Sequence, residues 1–178
     1  MANRIAWHCH DFDGFTPLAL YQALQLRDRV FVVEQRSIYG DVDGVDTHCL
    51  HLSGRDDGGR LLAYARLIAP GDKYPDAAAI GRVVVAPEAR GQGLGKALMA
   101  QAVAQCQIHF PGKPVMLSAQ VDAVALYQSL GFKPVSAPYD DGGIPHVDMR
   151  RDPLDIRAGD RHPFQLVVVR GMREAAAQ

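Results

Sequence analysis

The sequence predicts a mixed α/β domain in three layers, with a mostly antiparallel central sheet flanked by helices. Three observations point there. Strand-grade apolar runs near 49–54, 61–69 and 79–87 follow one another across Gly- and Asp-rich turns, as a meander does. Beyond Pro87 the apolar period changes to the helical one, through Leu94, Ala97, Leu98, Ala102, Val103 and Cys106. The chain then returns to a strand at 115–120, a helix at 122–131 and two closing strand-like runs.

Taken in order, RIAWHC at 4–9 reads as a first strand and DFDG as a turn. Thr16 suits an N-cap, with Pro17 at the first helical position, where a missing N–H is no loss. Leu18, Leu20, Tyr21, Leu24, Leu26 and Val30 recur at helical spacing and predict a helix of about four turns. FVVEQ at 31–35 extends or closes it. A polar loop at 37–49 precedes the strand CLHLSG, and RDDGG turns the chain into LLAYARLIA. PGDKYPDA is a loop before AIGRVVVAP, and the long helix stops near PGKP. VMLSAQ is a short buried strand, DAVALYQSLG a helix ending at Gly131, FKPVSA a further strand and GIPHVDMR the last. This defines one domain over 1–151, followed by an extension at 152–178. The extension is charged and turn-like until FQLVVVR at 164–170, which is strand-grade again. That run is either an extra edge strand or a segment that pairs with a second protomer in a homodimer, since a bare apolar edge invites aggregation.

The 178 residues suffice for one domain with a real core, and a net charge of −1 leaves no basic field to gather nucleic acid or anionic lipid. No apolar run approaches the roughly 20 residues that span a bilayer, and the first residues lack the apolar stretch of a secretory leader. A cytoplasmic protein with a small-molecule or peptide partner is expected. Cys9, Cys49 and Cys106 have no metal-like spacing and read as buried thiols of a reduced compartment.

The most informative segment is VVVAPEARGQGLGKALM, where an apolar strand enters a helix through Arg90, Gly91, Gln92, Gly93, Leu94, Gly95 and Lys96. Glycines let the backbone approach a ligand closely. The first-turn N–H groups of the helix lack intrachain partners, and the helix dipole adds partial positive charge. A diphosphate is the natural ligand. A dinucleotide fold lacks its βαβ context here, and no G-K-[ST] closes the turn as in a P-loop.

Arg90-x-x-Gly93-x-Gly95, preceded by Val83-Val84-Val85 and Pro87, resembles the acetyl-CoA motif of the GNAT superfamily of N-acetyltransferases. LQLRDRVFVVEQ, the DVDGVD loop, AYARL, GRVVV, LSAQ, LYQSLGF and GIPHVDM resemble the ElaA-type subfamily in order and spacing, over roughly residues 12–150. The resemblance implies acetyl-CoA as co-substrate and a primary amine that attacks the thioester directly. Val83, Val84 and Val85 would pair with the pantetheine arm through their main chain and polarise the thioester carbonyl. Arg90 and the turn Gly91 to Lys96 would hold the pyrophosphate, and Gln120 would touch the CoA arm. Tyr127 would protonate the departing thiolate, as a phenol beside a nascent thiolate can. The chain departs from the subfamily at Gly142, where a second carboxylate is usual after Asp141, and at Asp122, where a His is common.

The acceptor side needs a group that takes a proton from the ammonium. Glu34 is the first candidate, with a helix-terminal carboxylate as the bland alternative; His51 and His146 are weaker ones. Asp41, Asp43 and Asp46 do not match a calcium loop, because the glycine is misplaced and no Glu closes it. His48, Cys49 and His51 lack a second ligand pair for zinc, so no metal is expected. The acidic loop would instead attract a cationic amine. A second reading is a CoA-binding sensor that keeps the cradle without turnover.

Overall fold

The computed structural model describes residues 4–37 and 40–153. The expected strand at 164–170 lies outside the described residues. The first strand, β1 (Ala6–His10), leads through a short 3-10 turn to helix α1 (Pro17–Arg27). Thr16 caps α1 by accepting the Ala19 N–H at 3.1 Å, and Pro17 opens its first turn. The helix then changes type. Residues Asp28–Glu34 continue it as a π-helix, which no apolar period announces.

The remaining elements are β2 (Leu50–Arg55), β3 (Leu61–Ile68), β4 (Ala78–Val85), helix α2 (Leu94–His109), β5 (Val115–Gln120), helix α3 (Val124–Ser129), β6 (Lys133–Pro134), β7 (Tyr139–Asp141) and β8 (Ile144–Arg151). They form one sheet in the order β1-β2-β3-β4-β5-β8-β6, with β7 also paired to β8. Every pairing is antiparallel except β4 with β5. This is the predicted mixed, mostly antiparallel architecture. Every residue of β3 from Leu62 to Ile68 is buried, so both faces of the sheet are covered there. Both α1 and α2 pack against β3 and β4. Leu98, Met99 and Ala102 of α2 join Leu52, Leu67, Leu117 and Met149 in the core; each large apolar side chain contributes about 1.5–3 kcal/mol by leaving water.

One strand falls short of expectation. FKPVSA yields only Lys133–Pro134 as a ladder, because Pro134 has no N–H to give. The next contacts are irregular, Val135 N–H donating to Asp148 O at 2.8 Å and Asp148 N–H to Ser136 Oγ at 2.9 Å. The pairing of β4 with β5 is brief as well. It holds at Ala78 with Val115 and Ala79 with Met116 and then stops. Just past that point Arg82 takes a φ of +50° and the register against β3 shifts between Tyr64 and Arg66, a bulge that turns β4 away from β5. A non-glycine residue held in this region stores about 1–3 kcal/mol, a strain that gathers at functional sites.

Candidate active site

Where β4 and β5 part they leave a cleft of about 440 Å³. Val83 of β4, Leu117 and Gln120 of β5, Tyr127 of α3, His146 of β8 and Phe31 of the π-helix all line it. Val84 and Val85 pair with Tyr64 and Ala63 on the β3 side, while no β5 residue pairs with them on the other. The main chain of residues 83–85 is therefore an interior sheet edge that β5 leaves uncovered, and Val83 lines the cleft.

From Val85 the chain passes a 3-10 turn, Pro87–Ala89, and reaches Arg90. Gly91 and Gly93 then take φ of +75° and +78°, which is where glycine is required. Gly93 is the N-cap of α2, and no side chain caps the helix. Leu94 is buried and pins the helix start to the core, while Gly91, Gln92, Gly93 and Lys96 are exposed. The first turn of α2 thus presents uncapped N–H groups to solvent at the end of β4, a setting that favours an anion. A second cavity of about 440 Å³ runs along the flank of the turn past Gln92, Gly93, Leu94 and Ala97.

The expected site residues fall into two groups. Val83, Gln120 and Tyr127 meet at the cleft, and Gln120 donates to Gln35 of the chain leaving the π-helix at 3.2 Å. Tyr127 is 9% exposed, its ring packs edge-on against Phe132, and burial raises the pKa of its phenol, which keeps the proton on the oxygen at neutral pH. Arg90 belongs to the glycine turn, where its Nε donates to Val85 O at 3.2 Å. Glu34 lies there too rather than among the residues lining the cleft. Its two carboxylate oxygens accept from Arg90 Nη1 at 2.7 Å and Nη2 at 3.0 Å. The hydrogen bonds from Arg90 hold the Glu34 carboxyl below its usual pKa, so it is a weak proton acceptor in this arrangement.

The acidic loop is not a free negative surface, which corrects the expectation that it draws in a cationic amine. Its three carboxylates are matched by three arginines. Arg27, at the end of α1, reaches Asp46 at 2.6 Å and Asp41 at 2.8 Å. Arg66 of β3 binds Asp43 through two bonds of 2.7 and 2.8 Å and also approaches Asp46 at 3.2 Å. Arg82 pairs with Asp41 at 2.7 Å and Asp43 at 3.1 Å. Arg27, Asp46 and Arg66 are buried, so the network ties the loop to the sheet beside the cleft. The hydrogen bonds from Arg66 place Asp43 well below the carboxylate range. Burial alone would raise Asp46, but the bond from Arg27 and the charges of Arg27 and Arg66 outweigh it.

Among the described residues, one possible metal-ligand group gathers where this loop enters β2: Asp46, Cys49 and His51 bring donor atoms within 4.8 Å of one another. Its donors already have protein partners. His51 Nδ1 is 2.7 Å from Tyr64 Oη and Nε2 is 2.8 Å from Asp46 O. Burial pushes the Cys49 thiol up to about 11, and the two guanidiniums on Asp46 oppose a second cation. Burial likewise pushes Cys9 and Cys106 up to about 12, and no cysteine lines the cleft.

A strand that parts from its parallel neighbour, bulges, and runs through left-handed glycines into an uncapped helix defines the acyl-CoA N-acyltransferase architecture. The acetyltransferase (GNAT) domain family matches residues 31–153, and the chain belongs to that family. Protein ElaA of Escherichia coli is 43% identical over 151 residues, 83% of this chain and 97% of ElaA. The crystal structure of Escherichia coli ElaA aligns with a TM-score of 0.78 at 39% identity, over 84% of this chain and 100% of that one. The crystal structure of an acyl-CoA N-acyltransferase from Pseudomonas aeruginosa aligns equally well, with a TM-score of 0.78, 42% identity, and coverage of 83% and 99%.

Proposed function

We propose that the protein transfers an acetyl group from acetyl-CoA to a primary amine by direct attack of the amine on the thioester. The observation that carries this reading is the continuous path along β4. A main-chain edge at residues 83–85 that β5 leaves uncovered runs into the uncapped glycine turn, and Tyr127 stands across the cleft. In this reading the pantetheine arm lies along Val83, Val84 and Val85, and Gln120 contacts it. The pyrophosphate sits on Arg90, Gly91, Gln92, Gly93, Leu94, Gly95 and Lys96. The amine nitrogen forms the new C–N bond, the C–S bond breaks with its electron pair on sulfur, and Tyr127 gives that sulfur its proton. Tyr127 regains a proton from the ammonium-like nitrogen through solvent. Glu34 acts through Arg90, orienting the guanidinium in competition with the diphosphate.

The test is release of free thiol from acetyl-CoA in the presence of spermidine, kanamycin, L-lysine or a peptide with a free N-terminus. Thiol release that depends on one of these amines supports the reading. Tight CoA binding without it in any member of the panel would favour a CoA-binding sensor.

A further inference from the structure

We propose that His146 is the general base that takes the proton from the acceptor amine, an inference that rests on the acyl-transfer reading above. His146 lies on β8 in register with Gln120, the last residue of β5, and lines the same cleft as Gln120 and Tyr127. Two contacts fix its ring. Nδ1 is 2.8 Å from Ile144 O, and the ring stacks on Tyr139 with centroids 6.3 Å apart at 29°. A carbonyl oxygen only accepts, so in this contact Nδ1 carries the hydrogen. The lone pair of the neutral ring is therefore on Nε2, which no protein group engages among the described residues.

The alternatives are occupied. His51 has a partner on each ring nitrogen, and Glu34 is held by Arg90 outside the cleft lining. Of the other charged groups lining the cleft, Asp41 is bound to Arg27 and Arg82, and Arg82 to Asp41 and Asp43, leaving Lys73 and Asp141 to share it with His146. Tyr139 is the phenol stacked on the ring, and Tyr127 lines the same cleft. Tyr127 of α3 and His146 of β8 thus offer an acid and a base from different elements lining one cleft. The Nε2 lone pair accepts one proton from the ammonium and passes it to water. The freed nitrogen pair then attacks the thioester carbon while Tyr127 protonates the leaving sulfur.

The test uses His146→Gln in the full chain, with acetyl-CoA and whichever amine of the panel above the unaltered protein turns over fastest. At pH 7 kcat/KM is expected to fall by about 100-fold, with acetyl-CoA affinity unchanged by calorimetry. The deficit should shrink as pH rises toward 10, because the amine then arrives already deprotonated. His146→Ala is the second arm, with free imidazole expected to restore part of the rate. An unchanged rate at pH 7, a deficit that stays constant with pH, or a loss of acetyl-CoA binding in both variants would overturn the assignment. If the unaltered protein binds acetyl-CoA but turns over no amine, the acyl-transfer reading itself falls and takes the base with it. Turnover in the unaltered protein together with an unaffected variant removes the base alone.

Discussion

Replacing Gly95 with Ala separates what the glycine turn does for the fold from what it does for the ligand. Gly95 is the second residue of α2, and unlike Gly93 its φ is not positive. A Cβ built there meets only Val85 Cγ2, at 3.9 Å, an ordinary van der Waals contact. The protein therefore has room for the methyl group, and a helical Gly-to-Ala change stabilises by about 0.4–1 kcal/mol through the unfolded chain. In a domain of this size that raises Tm by about 1–4 °C. The same methyl points toward the end of β4, where the pantetheine arm and diphosphate are proposed to meet, and should weaken CoA binding at least about tenfold, a loss of about 1.4 kcal/mol. Differential scanning calorimetry and a CoA titration read the two effects. A raised Tm with unchanged CoA affinity would refute the cradle assignment. Gly93→Ala is the contrasting variant, because a φ of +78° strains any Cβ and should lower Tm instead.

Other outcomes follow from the same geometry. Arg90→Ala should weaken CoA binding, whereas Glu34→Gln, which releases Arg90 and removes a nearby negative charge, should tighten it; calorimetry checks both. Asp46→Ala leaves the buried guanidiniums of Arg27 and Arg66 short of a partner and should cost about 3–5 kcal/mol, lowering Tm by about 6–20 °C. Changing Cys9, Cys49 and Cys106 together to Ser or Ala should leave amine acetylation intact, since burial holds all three as thiols away from the cleft. Stability should fall in two stages on acidification, followed by urea unfolding at a series of pH values. Burial pushes His51 down to about 4, so the unfolded chain takes up that proton near pH 6.5 while the folded one resists it, and stability is lost from there toward pH 4. Asp43 and Asp46 are depressed in the fold, so their contribution is complete above about pH 5 and is lost as pH drops through the acid range. His51→Gln should flatten the first stage only.

The strands and helices were legible where period and burial agree. The apolar run of β3, interrupted by Arg66, announces a strand, and the period change after Pro87 announces α2. The π-helix at Asp28–Glu34 was not legible, because its apolar residues suit an α-helix equally well and only the backbone bonds tell them apart. The left-handed glycines and the uncapped start of α2 were readable from residue type, since few sequences place glycines between strand and helix without need. Pairing of the charges was harder. Asp41, Asp43 and Asp46 look exposed in a polar loop, and their partners lie 14 to 41 residues away. A signal did exist: Arg66 and Arg82 interrupt apolar strands, and a charge in a strand interior calls for a buried partner. The place of His146 was hidden for a related reason, since the sequence shows a histidine after Pro145 but neither that it lines the cleft nor which ring nitrogen is engaged.

The most direct test of the central claim is a crystal structure of the protein with bound acetyl-CoA. The expected complex has the pantetheine arm paired with the main chain of Val83 to Val85, the diphosphate on the N–H groups of Gly91 to Lys96, and the sulfur beside the Tyr127 hydroxyl. Acetyl-CoA bound elsewhere, or a cleft between β4 and β5 that stays closed to it at saturating ligand, would contradict it.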